Sequence, residues 1–201
     1  MSSTTGNHRR VVITGTGTIN PLGHTVDETW QAILERRSGI GRITRFDASH
    51  LPVQIAGEVR NFDPAPFFSG EIAKNAKRMD TFCHYAAAAM QEAATQAGLA
   101  DLEHRHRIGI SVGSGIGGLN VQHQNSADLA TKGYRRVSPF YIPMSIGNMA
   151  SGILSIMHQI TGPNLSLQTA CATANHSIAT GMMLIQAGHA DVMVSGGAES
   201  T

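Results

Sequence analysis

Charged and aromatic side chains are both scarce in this sequence of 201 residues. Aspartate, glutamate, lysine and arginine together make up 14% of the chain, and phenylalanine, tryptophan and tyrosine only 5%. The formal net charge is +1, so the charge balance favours neither a nucleic-acid-binding protein nor a protein for strongly acidic ligands. With 22 glycines present, so little charge indicates a compact interior and suggests surface that is buried in an oligomer or against further chain.

The sequence also has only two cysteines and no long apolar run. Cys83 and Cys171 lie far apart without the spacing of a disulfide framework, which is typical of a reducing compartment and predicts a cytoplasmic protein. Residues 1–9 are polar and basic, so we interpret them as a disordered tail and not as a signal peptide. The methionine-rich run at 142–160 is interrupted by polar residues, and we expect a packed amphipathic helix there and no membrane span.

Strand and helix patterns alternate along the rest of the chain. Strands are expected at 10–18, 53–59, 107–112, 165–168 and 191–194, and helices at 26–36, 77–98, 145–160 and 171–188. Strands separated by helices of this length favour an α/β fold with a largely parallel sheet that is covered on its faces. We treat residues 10–201 as one domain.

The segment around Cys171 is the most informative one chemically. A short apolar strand is predicted before this cysteine and a helix after it. A thiol in the first turn of a helix faces unpaired backbone N–H groups and the positive end of the helix dipole, and both favour the nucleophilic thiolate. A lone intracellular cysteine is more often a buried, inert residue. The spacing alone leaves both interpretations open.

Residues 113–118, with the sequence GSGIGG, satisfy the GxGxxG pattern directly after a predicted strand. A dinucleotide site also needs a second strand that ends in an acidic residue about twenty positions further on. The chain continues instead with a polar, helix-like stretch that contains Asp128. A nucleotide-binding protein is therefore the weaker alternative, and we expect these glycines to permit close backbone approach beside a substrate channel.

Histidines and basic residues give weaker signals. Of ten histidines, only His104 and His106 are closely paired, and they lie in a charged loop. A metal site needs further ligands nearby, so we predict neither a metal nor a cofactor. Two small basic groups are usual on a solvated surface and also suit an acidic partner. They are Lys74, Lys77 and Arg78, and Arg135 with Arg136.

A series of motifs in a fixed order resembles the β-ketoacyl-acyl-carrier-protein synthases over nearly all of the chain after the tail. The motifs are VITGTG at 12–17, SGI at 38–40, FD at 46–47, RMD at 78–80, GSGIGG at 113–118, SPFYIP at 138–143, GP at 162–163, TACAT at 169–173 and DVMVSGGAE at 191–199. The glycine motif with Ile116 is closer to the type II elongating synthase, whereas the cysteine segment has a type I character. The ketosynthases of type II polyketide pathways share the opening motif and are the nearest alternative.

The resemblance implies a thiolase-like fold, in which two similar α/β halves stack in five αβαβα layers and the protein is a homodimer. This chain is expected to hold the first half. The resemblance also implies that Cys171 takes an acyl group from acyl carrier protein or coenzyme A, and that decarboxylated malonyl-carrier protein then attacks the thioester. The backbone N–H of Cys171 would contribute to an oxyanion hole. Cys83, in the middle of a helix, is expected to be a core residue.

Further residues match positions whose roles are implied by the resemblance alone. Ile116 matches a residue that gates the acyl pocket, and Tyr141 matches one that lines this pocket from the partner subunit. The acidic carrier protein is expected to dock on the basic residues. These are Lys74, Lys77, Arg78, Arg135 and Arg136.

The decarboxylation residues are the main departure from the family pattern. The resemblance implies two histidines and a lysine from the second half of the fold, and none of the ten histidines here matches them. His176 is nearest to Cys171 in sequence, but it is expected on the following helix. We therefore expect this polypeptide alone to lack condensing activity. A non-catalytic module that binds carrier protein is the alternative from a different functional class.

Overall fold

The computed structural model describes residues 9–76 and 79–200 of the chain. The helices are α1 (Val26–Leu34), α2 (Gly70–Ala76), α3 (Thr81–Gln96), α4 (Leu119–Lys132), α5 (Tyr141–Ser145), α6 (Met149–Met157) and α7 (Thr173–Gln186). The strands are β1 (Ile40–Arg42), β2 (Ile55–Gly57), β3 (Ile108–Gly113), β4 (Asn164–Leu165) and β5 (Val192–Gly197). Within the described ranges, no helix has the length and apolar character needed to cross a membrane. Of the tail predicted at 1–9, only Arg9 is described, and it forms an ion pair with Asp191 at 2.9 Å.

A three-stranded parallel sheet lies at the centre of the fold, as the sequence predicts. Its order is β4–β3–β5, and β3 is buried along its whole length. Because side chains alternate along a strand, Ile108, Ile110 and Val112 point to one face, where they join a core built with α3 and α6. The opposite face carries Gly109, Ser111 and Gly113 and receives α7. The described chain is therefore layered as helix, sheet and helix.

Helix α7 lies unusually close to the sheet because both surfaces carry small residues. A Cβ built on Gly181 of α7 would lie 2.3 Å from Oγ of Ser195 on β5, a distance that packed atoms do not reach. A Cβ on Gly113 would lie 2.6 Å from the Cγ2 methyl of Thr173, the first residue of α7. This close packing fixes the N-terminal end of α7 at the edge of the sheet where β3 ends.

The strand predicted at 10–18 is wrong for the described chain. The segment forms no β-strand and packs along α3. Its backbone N–H groups donate to side chains of that helix. The N–H of Thr16 donates to Oε1 of Gln96 at 2.8 Å, and the N–H of Thr18 donates to Oε2 of Glu92 at 3.0 Å. A β-strand needs a neighbouring strand for its hydrogen bonds, and no described segment supplies one here. Propensity alone could not reveal this.

The run at 142–160, expected to form one helix, is divided between α5 and α6, and the helix predicted at 145–160 is observed only as α6. The carbonyl of Ser145 accepts a hydrogen bond from the N–H of Gly118 at 2.8 Å, so a tertiary contact uses an acceptor that a continuous helix would need. Ile146 is extended, with ψ of 138°. A Cβ on Gly147 would lie 2.2 Å from Nε2 of Gln168, so a larger residue at the break would displace the amide end of that side chain.

The other expected elements differ mainly in their bounds. Helix α1 begins as predicted after Thr25, whose side chain accepts from the N–H of Glu28 at 3.2 Å. Strand β2 lies within the predicted strand at 53–59, but it pairs antiparallel with β1 outside the central sheet. The helix predicted at 77–98 is observed as α3, which begins only at Thr81 after the extended Asp80. Residues 77–78 lie outside the described residues.

We predict that Gly181→Ala separates α7 from the sheet and lowers the free energy of unfolding by about 1–3 kcal/mol, because the added methyl group overlaps Ser195 Oγ. Urea unfolding monitored by circular dichroism measures this change. The double variant Gly181→Ala/Ser195→Ala lacks the overlapping hydroxyl and should recover most of the lost free energy of unfolding.

Gly152→Ala is the matched control for this substitution. Gly152 lies inside α6, and a Cβ built there meets nothing within 4 Å, so alanine should stabilise by about 0.5–1 kcal/mol through its helix propensity. Equal effects of the two substitutions would contradict the close packing of α7.

Candidate active site

Three loops meet at the carboxyl edge of the central sheet, the edge at which open α/β sheets usually bind ligands. Strand β3 leads into residues 113–118, called the glycine turn below. Strand β4 leads towards residues 169–172, the cysteine loop, and β5 leads into residues 198–200. Because the three strands are parallel neighbours, their ends bring together loops that are far apart in the sequence.

Cys171 is exposed and lies just before α7. The sequence predicts this cysteine in the first turn of the α-helix, and that prediction needs correction. Cys171 belongs to a 3-10 turn, Ala170–Ala172, and the α-helix begins at Thr173. The sulfur still lies at the positive end of the α7 dipole. None of the described residues accepts a hydrogen bond from the backbone N–H of Cys171.

Side chains of α7 hold the cysteine loop in place. The hydroxyl of Thr173 is buried, accepts from the N–H of Thr169 at 2.9 Å and donates to the carbonyl of Ala170 at 2.8 Å. The Nδ1 atom of His176 is hydrogen-bonded to the hydroxyl of Thr169 at 2.8 Å. Ala170 has φ of +51°, a left-handed conformation that costs a residue with a Cβ about 1–2 kcal/mol. These bonds compensate that strain and fix the turn that carries Cys171.

The glycine turn is tied to the end of β5 through Glu199. The hydroxyl of Ser114 donates to Oε1 of Glu199 at 2.9 Å, and the N–H of Ile116 donates to Oε2 at 3.0 Å. Ser114 also accepts from the N–H of Gly117 at 3.0 Å. The φ of Gly117 is +82°, which only glycine adopts readily. The turn is thus shaped by hydrogen bonds to one carboxylate and one buried hydroxyl.

The glycine turn and the cysteine loop touch directly. A Cβ built on Gly115 would lie 3.1 Å from both Cα and the carbonyl oxygen of Ala170, and 3.0 Å from Oε2 of Glu199. Any side chain at this position would push the two loops apart. The glycines of the GxGxxG pattern therefore serve close backbone approach next to Cys171.

The geometry of the glycine turn does not support a nucleotide site. Phosphate-binding loops present free backbone N–H groups to the ligand. In this turn the N–H groups of Ile116, Gly117 and Gly118 donate to Glu199, Ser114 and Ser145. Helix α4 follows the turn, but it leads into further helices, α5 and α6, where a dinucleotide site requires a second strand. The protein itself uses the donors that a phosphate would need.

The second cysteine has a very different environment. Cys83 lies on α3 with 2% of its surface exposed, as expected for a core residue. Burial raises the pKa of its thiol strongly, and the nearby Asp80 carboxylate raises the pKa further. Cys83 is therefore held as a neutral thiol, and Cys171 is the thiol that a substrate can reach.

The two residues expected to line an acyl pocket lie on different elements. Ile116, in the glycine turn, has 54% of its surface exposed. Tyr141 is half-buried at the start of α5, where its N–H donates to the carbonyl of Ser138 at 3.0 Å. Within the described residues, no hydrogen bond joins the side chain of Tyr141 to Ile116 or Cys171.

The described members of the two basic groups, Lys74, Arg135 and Arg136, are exposed on the surface. Lys74 forms an ion pair with Glu71 on α2 at 2.6 Å. The guanidinium of Arg135 lies 5.9 Å from the ring centre of Tyr134. Arg136 follows in the same 3-10 turn after α4. Lys77 and Arg78, which were predicted to belong to the same docking surface, lie outside the described residues.

The histidines do not form a metal centre in the described part of the chain. There, no three side chains of histidine, cysteine, aspartate or glutamate come together in a group that could hold a metal ion. His104 and His106 pack edge to face, with ring centres 5.9 Å apart. His176 is engaged with Thr169, as described above.

Three residues of the site were not identified from the sequence. Thr173, Glu199 and Asp80 were included only as members of motifs, although all three make hydrogen bonds at the site. Asp80 is buried, and its carboxylate accepts from the N–H of Val121 in the first turn of α4 at 3.0 Å and from the hydroxyl of Ser200 at 3.1 Å. An acidic residue soon after the end of a strand, as Glu199 is two positions after β5, was the available signal.

Comparison with known proteins gives matches over almost the whole chain. A family model for the β-ketoacyl synthase N-terminal domain matches residues 8–201. The 3-oxoacyl-(acyl-carrier-protein) synthase 2 of Coxiella burnetii is 45% identical over 192 residues, which are 95% of this chain and 46% of that protein. The protein of the same name from Synechocystis sp. is 46% identical over 193 residues, or 96% of this chain and 46% of its own length. The chain thus spans about half the length of the curated relatives it matches.

Solved structures match the fold over a similar extent. The ishigamide ketosynthase/chain length factor superposes with a TM-score of 0.84 at 26% identity, covering 96% of this chain and 48% of the other. A beta-ketoacyl synthase from Burkholderia phymatum superposes with a TM-score of 0.82 at 24% identity, covering 96% and 47%. The second likeness concerns the fold alone. The mixed α/β fold of this chain therefore corresponds to about half of each ketosynthase structure.

The hydrogen bonds of Thr173 lead to a prediction about the cysteine loop. Thr173→Val keeps the shape but leaves the N–H of Thr169 without its partner, which should cost about 1–3 kcal/mol of unfolding free energy. The carbonyl of Ala170 loses the bond from the hydroxyl and keeps the one from the backbone N–H of residue 173. Amide hydrogen exchange at Thr169 should become faster. Thr173→Ser keeps the hydroxyl and is the control that should retain the slow exchange. Identical exchange in the two variants would contradict this role of the hydroxyl.

Proposed function

The chain belongs to the β-ketoacyl synthase family, as its N-terminal domain, and we propose that its Cys171 accepts an acyl group from acyl carrier protein. The acyl group is then elongated by decarboxylative condensation with malonyl-carrier protein, as in fatty acid synthesis. One observation carries the proposal most directly. Cys171 is an exposed thiol in a hydrogen-bonded turn at the N-terminal end of a 14-residue helix.

The proposed loading step is nucleophilic acyl transfer. The thiolate of Cys171 attacks the carbonyl carbon of the donor thioester, and a tetrahedral intermediate forms with negative charge on its oxygen. This intermediate collapses to the new thioester, and the sulfur of the carrier leaves as a thiolate that takes up a proton. The N–H of Cys171 has no acceptor among the described residues, which supports an oxyanion role, because such a donor stabilises charge that develops in the transition state.

The acyl chain is proposed to extend past Ile116 and towards Tyr141 of the partner subunit. The exposed apolar side chain of Ile116 follows Gly115, the residue at which the glycine turn touches the cysteine loop. An apolar group in this position suits the gate of an acyl pocket. The role of Tyr141 rests on the family resemblance.

The condensation itself is proposed for a protein of the relatives' full length and not for these 201 residues. The curated relatives are about twice as long as this chain, and none of the ten histidines matches the pair that the family resemblance requires for decarboxylation. His176, the histidine closest to Cys171 in sequence, is bonded to Thr169. These 201 residues are therefore proposed to carry out acyl loading without condensation.

Residues 10–201 are proposed as the first half of a five-layer αβαβα thiolase-like fold and as part of a homodimer. Exposed apolar side chains support this arrangement. Ile178, Met182 and Met183 follow each other along α7 and are 51%, 44% and 56% exposed. Strand β4 lies at an open edge of the sheet, and unpaired edges favour pairing with another chain.

Two alternatives remain for the biological role. A ketosynthase of a type II polyketide pathway uses the same loading chemistry, and it is favoured by the structural likeness to a ketosynthase/chain length factor. A non-catalytic module that binds carrier protein is favoured only by the basic residues. The product made in a reconstituted pathway distinguishes a polyketide synthase from a fatty acid synthase. Acyl loading of Cys171 distinguishes an enzyme from a non-catalytic module.

We predict that the purified chain becomes acylated at Cys171 when incubated with acyl-carrier protein. Mass spectrometry of peptides locates the acyl group. Cys171→Ser should reduce loading by about 10²-fold or more, because an alcohol is a much weaker nucleophile than a thiolate. The same chain should release no carbon dioxide from malonyl-carrier protein.

Two controls make the loading experiment specific. Cys83→Ala removes the buried thiol and should leave loading unchanged. Ala179→Cys in a Cys171→Ala background puts an exposed thiol in the middle of α7 and away from its N-terminal end. Equal loading of Cys171 and of this engineered thiol would reject an activated nucleophile.

The proposed carrier surface gives a prediction of its own. Charge reversal in Arg135→Glu/Arg136→Glu should raise the KM for acyl-carrier protein by about tenfold and weaken its salt dependence, because docking charges act mainly on association. Loading from an acyl-pantetheine thioester, which lacks the carrier, should be unaffected. The matched control is Arg36→Glu/Arg37→Glu, another adjacent, exposed basic pair. If both double variants raise the KM equally, the effect is one of net charge and not of a docking surface.

A further inference from the structure

Two consecutive residues after β5 are linked to the glycine turn and to the start of α4, the helix that follows it. Glu199 accepts from Ser114 and from the N–H of Ile116 at the start and middle of the turn. Ser200 donates to Asp80, whose other oxygen accepts from the N–H of Val121, just beyond the end of the turn. The glycine turn is thus held from β5 through side-chain carboxylates.

The contact with Glu199 matters most for Ile116. Because more than half of the Ile116 surface is exposed, packing of its side chain does little to fix it. Its neighbours in the turn are glycines, which impose few conformational limits. The hydrogen bond from the N–H of Ile116 to Glu199, at 3.0 Å, is therefore a main constraint on where this side chain lies.

Glu199 is also in contact with the position where the two loops meet. A Cβ on Gly115 would lie 3.0 Å from Oε2 of Glu199 and 3.1 Å from Cα of Ala170. The carboxylate and the cysteine loop therefore lie against the same glycine. Displacement of the carboxylate frees the turn to move relative to the neighbouring Cys171.

We propose that Glu199 is a positioning residue that holds Ile116 beside Cys171 and thereby limits the length of the chain that reaches the sulfur. This inference rests on the proposed function of Ile116 and Cys171 and adds a specificity determinant to it. Glu199 acts through the backbone of Ile116 and has no contact with the sulfur among its hydrogen bonds. Without the carboxylate, Ile116 moves more freely and longer chains gain access.

The test uses alkylation of Cys171 in the full 201-residue chain, which needs no transfer activity. The rates of reaction with N-methyl iodoacetamide and N-octyl iodoacetamide are measured by mass spectrometry, and their ratio is compared between variants. Glu199→Ala should raise the octyl-to-methyl ratio by about threefold or more. Hydrogen exchange at the Ile116 amide should accelerate in parallel. Glu103→Ala, at an exposed loop glutamate, should change neither quantity.

The conservative variant separates positioning from a general loss of structure. In Glu199→Gln, the amide oxygen still accepts from the N–H of Ile116 and the NH₂ group donates to the hydroxyl oxygen of Ser114. This variant should keep the octyl-to-methyl ratio within twofold of the ratio measured for the unsubstituted chain. If Glu199→Ala does not fold, Glu199→Asp keeps the charge but shortens the side chain by one methylene, and it should raise the ratio in the same direction.

The outcomes distinguish this inference from the proposed function. An unchanged ratio in Glu199→Ala or Glu199→Asp, or an unchanged exchange rate at Ile116, overturns the positioning role even if Cys171 is acylated normally. A raised ratio that Glu199→Gln does not show supports that role, even if no acyl transfer from carrier protein is observed. In the latter case, only the proposed function fails.

Discussion

The close contact between α7 and the central sheet is the constraint on which the rest of this structure depends. Gly181 faces Ser195 without space for another atom. The face of β3 towards α7 carries only glycine and serine, namely Gly109, Ser111 and Gly113. The helix can therefore lie directly on β3 and β5, and its N-terminal end reaches the carboxyl edge of the sheet. Larger side chains in this layer would move α7 outwards and would carry Cys171 away from the glycine turn.

The site at this edge is organised by polar side chains because the loops themselves have few apolar ones. Glycine-rich backbone approaches closely, but it offers no side chains that interlock. Thr173 shapes the cysteine loop, Glu199 shapes the glycine turn, and the buried Asp80 binds the start of α4. Hydrogen bonds to backbone groups thus replace the packing that holds Ile108 and Ile110 in the core.

The scarcity of charge in the sequence has a counterpart on the surface of the structure. Val12 and Ile13 are 65% and 81% exposed, and Trp30 is 57% exposed. The extended segment that contains Val12 and Ile13 forms no strand in the described chain, although its sequence strongly favours one. Single exposed apolar residues are normal, whereas contiguous apolar patches on a surface mark contacts with other protein. This agrees with a chain that spans about half of its relatives' length.

Local sequence determined those elements whose signals are local. The N-cap at Thr25, the apolar alternation in β3, the family motifs and Cys171 as the thiol of interest were all readable, because capping, strand alternation and motif order need no distant partner. The tertiary structure decided what depends on a partner far along the chain. The helical run at 142–160 is interrupted after Ser145, whose carbonyl accepts a hydrogen bond from the N–H of Gly118. Residues 10–18 form no strand because no described segment pairs with them. The roles of Thr173 and Glu199 likewise emerge only when parallel strands bring three separate loops to one edge.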